Sequence, residues 1–118
     1  SRYKIRSVRM WETISKIHKL LLKMVTMAEK EPERFRNVQS FFNKYLDSIT
    51  TIIEKYTLLA SQPVKSPEIH LAIKKTEESL EEITSSLEKE MLANLENDVL
   101  NLEIELDLLK QTLDIPKK

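Results

Sequence analysis

The chain has 118 residues, enough for one domain that buries a core without disulfides or a structural metal. It contains no cysteine and no glycine. The first absence excludes disulfide scaffolds, thiolate metal sites and cysteine nucleophiles; the second removes P-loops, dinucleotide-binding turns and nucleophile elbows, which need closely approaching or positive-φ backbone.

The net charge is zero by cancellation: residues 1–30 hold eight Lys/Arg against two acids, 31–62 four against four, and 63–118 seven against thirteen. A basic first helix lying against an acidic third one within a single bundle accounts for this split, and so does a basic face for anionic lipid. With no net positive charge and no recognition motif, nucleic acid is not an expected partner. A glycine-free composition that is 32% charged and rich in Leu, Ile, Glu and Lys belongs to long surface-exposed helices, and the chain is expected to be all-α.

The N-terminal stretch Ser1-Arg2-Tyr3-Lys4-Ile5-Arg6-Ser7-Val8-Arg9-Met10-Trp11 alternates basic with apolar or aromatic residues, a pattern of juxtamembrane sequence as well as of an ordinary basic helix face. No run of about 18 apolar residues occurs, so no helix here is expected to span a bilayer. The chain starts with Ser and shows no signal peptide, and is expected to be a soluble piece of a longer protein. Met10, Ile14, Ile17, Leu21, Met24 and Ala28 form an amphipathic stripe, predicting helix 1 over about residues 3–30.

Glu31-Pro32-Glu33 marks a break, because proline disfavours helical geometry before it and is tolerated only in the first turn of a new helix. Phe35, Val38, Phe42, Tyr45, Ile49, Ile52, Tyr56 and Leu59 then recur at alternating three and four residues, predicting a central core helix over about 32–61. Phe41, Leu46, Ile53 and Ala60 widen that stripe, so this helix should touch both others. Tyr45 and Tyr56 are expected to bury their rings and send their hydroxyls outward.

In Gln62-Pro63-Val64-Lys65-Ser66-Pro67-Glu68, Ser66 is an N-cap, Pro67 occupies a position whose N–H needs no partner, and Glu68 suits the positive dipole end. Helix 3 therefore starts at Pro67, with Ile69, Ile73, Thr76, Leu80, Ile83, Leu87 and then Met91 or Glu90 along its stripe and an end near residue 96. Thr76 reads as structural, its hydroxyl bonding the carbonyl one turn back. The Asn97-Asp98-Val99-Leu100-Asn101 stretch suggests a turn, after which Leu102, Leu106, Leu109 and Leu113 line a short helix 4 over about 102–113 that folds back onto the bundle end. With neither glycine nor proline in that stretch, helix 3 running on unbroken to Leu113 is the alternative. The expected fold is an antiparallel three-helix bundle, coiled-coil-like, with a short fourth helix.

Chemistry is sparse. Neither His18 nor His70 has an acid or histidine at i±3 or i±4, so neither reads as a catalytic base or metal ligand. Glu77 with Glu81, Glu78 with Glu82, and Glu103 with Asp107 are acidic pairs at helical spacing that read as solvated faces rather than cation sites. Asp47 and Glu54 on the central helix read as partners for Lys or Arg of helix 1. No catalytic residue, cofactor or metal site is assigned from these patterns.

Four strings, Phe41-Phe42-Asn43-Lys44-Tyr45-Leu46-Asp47, Ile53-Glu54-Lys55-Tyr56, Gln62-Pro63-Val64-Lys65-Ser66 and Lys75-Thr76-Glu77-Glu78-Ser79-Leu80, resemble the bacterial 5-bromo-4-chloroindolyl phosphate hydrolysis protein family. The closing stretch from Asp98 to Leu113 is also similar, so the resemblance covers about residues 32–113. Glu103 stands where the family more often has an Asp cap, which bears only on where helix 4 starts. The resemblance implies a bacterial protein with membrane-spanning sequence ahead of this domain, at the cytoplasmic face of the inner membrane. The family name implies hydrolysis of an indolyl phosphate, which demands a strong electrostatic clamp on the phosphoryl group. From these considerations the chain reads as a non-enzymatic helical interaction domain, pairing with itself or another helical protein and touching an anionic membrane surface through its basic start. The alternative is a phosphate-ester hydrolase in which Asp47, Glu54 or Glu105 gather a divalent metal between helices.

Overall fold

A computed structural model describes the backbone of residues 2–116 and the side chains of residues 8–116. The described residues form three helices: α1 (Arg2–Lys30), α2 (Arg36–Ala60) and α3 (Pro67–Thr112). The side chains of Arg2, Lys4 and Arg6, which carry much of the basic-start expectation, lie outside the described set.

The boundaries follow the local chemistry. At the start of α3, Ser66 Oγ accepts a hydrogen bond from the Ile69 amide at 3.2 Å and Pro67 comes directly after it, as its sequence dictates. At the end of α2 the Leu58 carbonyl is satisfied by Ser61 Oγ at 3.0 Å and Gln62 Nε2 at 2.9 Å. The Thr76 hydroxyl donates to the Ala72 carbonyl at 2.7 Å, the expected back-bond. The central helix departs from expectation, beginning at Arg36 rather than Pro32. Residues 32–35 form a turn that tucks Phe35, 2% exposed, into the core, and the Phe35 amide donates to the Glu31 carbonyl at 3.1 Å.

The larger correction concerns the C-terminus. There is no turn at Asn97–Asn101 and no fourth helix among the described residues; α3 is one continuous helix. At 1.5 Å per residue it is about 69 Å long, matching the longest dimension of a 70 × 34 × 16 Å molecule. The radius of gyration is 20.3 Å, against about 13.5 Å for a compact domain of this size. Asn97, Asp98 and Asn101 are poor helix formers, but each costs well under about 1 kcal/mol relative to Ala, too little to break a helix lacking Gly or Pro. The helix stops instead at a Schellman-type cap, in which the Ile115 amide donates to the Lys110 carbonyl at 2.7 Å and the Asp114 amide to the Gln111 carbonyl at 3.2 Å. Asp114 takes the left-handed conformation, φ 58°, that a glycine would normally supply.

All three helices meet around one core. Met10, Ile17, Leu21, Met24 and Ala28 come from α1; Phe35 from the turn; Val38, Phe42 and Ile49 from α2; Leu80 and Leu87 from α3. Arg9 pairs with Glu81 and Lys16 with Glu88, both at 3.1 Å, so α1 and α3 advance together, seven residues in step. The basic first helix thus lies against the acidic third, in parallel. Near one end of α2, Tyr56 meets Glu77; just before its other end, Arg34 meets Asn94 and Asp98, so α2 runs opposite to α3.

Candidate interaction surface

The buried seam of α3 runs in three- and four-residue steps through Glu77, Leu80, Thr84 and Leu87, with Met91 packed against the core. Continued at the same spacing it reaches Asn94, Asp98, Asn101 and Glu105, which are polar. Arg34 closes the body here: its guanidinium donates to the Asn94 carbonyl at 2.9 Å, pairs with Asp98, and lies 5.0 Å from the Phe35 ring centroid. Beyond that clamp α3 projects as an arm about 21 Å long.

The arm is polar where it would continue the body seam, but it is not a polar helix. Leu92, Leu95, Val99, Leu102, Leu106, Leu109 and Leu113 recur at alternating steps of three and four, one residue out of phase with the body seam. The offset displaces this second stripe around the helix axis by part of a turn from the face that meets α1 and α2. From Val99 to Leu109 every arm residue is exposed, and Leu102, Leu106, Leu109 and Leu113 are 60%, 47%, 56% and 59% exposed. Leu100, Ile104 and Leu108 add apolar surface on the other side. Single exposed leucines need no explanation, but an apolar surface of this extent exceeds what a typical monomer leaves in water.

Two apolar grooves run along the described body. Between α2 and α3 an open cleft of about 670 Å³ is lined by Val38, Phe41, Tyr45, Ile52 and Ile83, with Ser79, Ser86 and Glu90 on its α3 side. Between α1 and α2 a smaller one of about 380 Å³ is lined by Ile14, Leu22, Val25, Leu46 and Ile53. Tyr45 and Ile52, expected in the core, stand 47% and 38% exposed at the first groove, because three helices with a 16 Å shortest dimension cannot enclose the whole width of the α2 stripe.

Few of the candidate polar residues converge. His18 and Glu54 both line the α1–α2 groove; Asp47 and His70 are exposed away from it. Asp47 and Glu54 are not among the cross-helix ion pairs of the described residues, which join α1 to α3 through Glu81 and Glu88 and the α1–α2 turn to α3 through Asp98. Glu105 sits on the arm, about 42 Å along α3 from Glu77, which marks the Tyr56 end of α2. The structure therefore separates the three acids that a metal-dependent hydrolase reading would gather, and no group of three or more His, Asp or Glu able to hold a metal occurs among the described residues. Glu77, read as part of a solvated acidic face, is instead 8% exposed and accepts a hydrogen bond from the Tyr56 hydroxyl at 2.8 Å. Tyr56 thus turns its hydroxyl inward, against the expectation from sequence. Its partner was invisible in sequence, where Tyr56 and Glu77 are separated by a whole interhelical loop. Glu78, Glu82, Glu103 and Asp107 differ from it: Glu78, Glu82, Glu103 and Asp107 are exposed.

No described helix is long and apolar enough to cross a membrane. Val8 and Trp11, at 57% and 71% exposure, stand out from α1 near its basic start. Because α1 and α3 run in parallel, that start lies at the opposite end of the long axis from the arm, whose acids are Glu103, Glu105, Asp107 and Asp114.

Comparison with known proteins places these features in context. The family described as 5-bromo-4-chloroindolyl phosphate hydrolysis protein matches residues 1–109, so the similarity takes in α1 as well as the stretch that first suggested it. Protein XpaC of Bacillus subtilis (strain 168) is 30% identical over 111 residues, which is 94% of this chain and 54% of that protein. The chain thus spans about half the length of the curated relative it matches. No solved structure matches it.

Proposed function

The chain belongs to the 5-bromo-4-chloroindolyl phosphate hydrolysis protein family, and from that premise we propose that it is a non-enzymatic helical interaction domain of a membrane-tethered bacterial protein. The observation that carries this reading is the α3 arm: a continuous helix, capped at its end, that holds a regular leucine stripe clear of its own core. A stripe at coiled-coil spacing recognises another helix, because a facing helix offers holes at the same repeat. The tether is supported by the basic composition of residues 1–30 and the exposed Val8 and Trp11, which suit the headgroup region of an anionic leaflet at the cytoplasmic face of the inner membrane. In that orientation the acidic arm points away from the membrane.

The experiment combines three assays on the purified chain: sedimentation, flotation with vesicles containing anionic lipid, and turnover of 5-bromo-4-chloroindolyl phosphate with and without Mg²⁺, Mn²⁺ and Zn²⁺. Association or vesicle binding without turnover is the expected result. A strictly monomeric chain indifferent to anionic vesicles would sink the interaction reading. Turnover abolished by Asp47→Asn, Glu54→Gln and Glu105→Gln together, with helicity unchanged, would replace it with the hydrolase reading.

A further inference from the structure

We propose that the arm pairs with the arm of a second copy of this chain, antiparallel, so that the protein is a dimer joined at the C-terminal end of α3. This deepens the interaction reading and rests on it. Three observations select this occupant.

The first is the stripe itself. Leu102, Leu106, Leu109 and Leu113 are at the spacing of a two-helix seam, and all are about half exposed on a stretch of helix that projects beyond the body. The second is area. Each of these leucines leaves roughly 100 Å² in water, so pairing two stripes with the stems of their flanking residues removes on the order of 1,000 Å² in total, the threshold for specific association. An interface of that size without a large aromatic anchor supports association in the micromolar range rather than a permanent dimer.

The third is charge, and it fixes the direction. In an antiparallel pair with Leu102 opposite Leu113 of the partner and Leu106 opposite Leu109, the flanking Glu103 of each chain faces Lys110 of the other, twice by symmetry. Glu105 faces Thr112, and no like charges oppose. In a parallel pair Glu105 would face Lys110 of the other chain, but Asp98 would then face Glu103, so two like-charge contacts offset the two favourable ones. Lys110 is the one Lys or Arg between Asp98 and Thr112, and the antiparallel register pairs it with Glu103 without setting acid against acid. That register overlaps the two arms from Leu102 to Leu113, so each tip stops about one helical turn short of the Arg34 clamp where the partner's body begins.

The test is sedimentation equilibrium of the full chain from 1 to about 500 µM, with helicity followed in parallel. The unmodified chain is expected to move from monomer to dimer within that range. Glu103→Lys alone and Lys110→Glu alone are each expected to weaken the dimer about tenfold, since each turns two opposite-charge contacts into two like-charge ones. The double variant Glu103→Lys/Lys110→Glu is expected to recover to within about twofold, because the swap restores both contacts. Leu106→Lys is expected to give a monomer that remains helical. Tighter association of Glu103→Lys would point to parallel arms facing Asp98 and overturn the proposal, as would a dimer that survives Leu106→Lys. A chain that stays monomeric throughout also overturns it; vesicle binding by that monomer would leave the broader interaction reading standing, while indolyl phosphate turnover would remove both.

Discussion

Leu80 and Leu106 are the same residue on the same helix, and the structure assigns them opposite energetic roles. Leu80 is 0% exposed, in the core it shares with Ile17 and Met24 of α1 and Phe42 of α2. Truncating it to alanine removes the transfer free energy of the lost carbons and leaves a cavity that the surrounding helices only partly close, a cost of about 3 kcal/mol. A body this small is expected near the low end of domain stability, about 5 kcal/mol, so the substitution consumes more than half of the total. With a urea dependence of about 1.5 kcal/mol per molar, the midpoint falls by about 2 M. Leu106 is 47% exposed, on the arm beyond the body. Leu106→Ala gives up little burial and slightly favours the helix, so stability changes by less than about 0.5 kcal/mol. The assay is urea unfolding followed by circular dichroism at 222 nm, at a few micromolar so that self-association does not contribute. A loss above about 1 kcal/mol for Leu106→Ala at that concentration would show that the arm packs on its own body. A loss below that for Leu80→Ala would show that the core is centred elsewhere.

Other substitutions probe the boundaries and the clamp. Arg34→Ala removes the contacts to the Asn94 carbonyl, Asp98 and the Phe35 ring; because the guanidinium is one-third exposed, the expected cost is only about 1 kcal/mol, with faster amide exchange around residues 94–98 as the local signature. Ser66→Ala should cost about 1 kcal/mol in urea unfolding through loss of the α3 cap, with Ser66→Asp restoring it. Asp114→Gly should strengthen the end of α3 by about 0.5–1 kcal/mol, read as slower amide exchange in the last turn of the arm, because glycine occupies φ 58° without a Cβ penalty.

Local chemistry made the hairpin ends legible in the sequence. The Ser66-Pro67-Glu68 cap placed the start of α3 to the residue, and the period of Met10, Ile17, Leu21, Met24 and Ala28 identified the buried face of α1. Where the signal was tertiary, the sequence was silent. Phe35 reads as the first core residue of a helix starting at Pro32, but it enters the core from a turn, a geometry that only the packing of all three helices makes favourable. Glu77 reads as one of several exposed acids until Tyr56 is placed against it. The end of α3 was hidden for another reason: a chain without glycine must cap its helices with other residues, and Asp114 carries no mark of a left-handed cap in sequence. The Asn97–Asn101 stretch misled because polar residues signal both loops and solvated helix. The deciding feature is the absence of glycine and proline from Glu68 to Ile115, which leaves nothing costly enough to break the helix there.

The phase shift of the arm's leucine stripe also explains what the charge split is for. If the opposite charges of α1 and α3 served only to hold the two helices together, they would be matched along their shared length and would fade where α3 leaves the body. The cross-helix pairs among the described residues are few and exposed: Arg9–Glu81 and Lys16–Glu88 involve side chains between 40% and 69% accessible, worth little to stability in water. Acids meanwhile continue along the arm through Glu103, Glu105, Asp107 and Asp114, beyond the last of those pairs. Their physical effect there is on solubility and choice of partner. An arm with leucines on two sides would aggregate if uncharged, and a net negative arm repels any helix that cannot bring a cation to the correct flank. Lys110 is such a cation in a second copy of the chain, so the same charges that keep the isolated arm soluble restrict what can cover it.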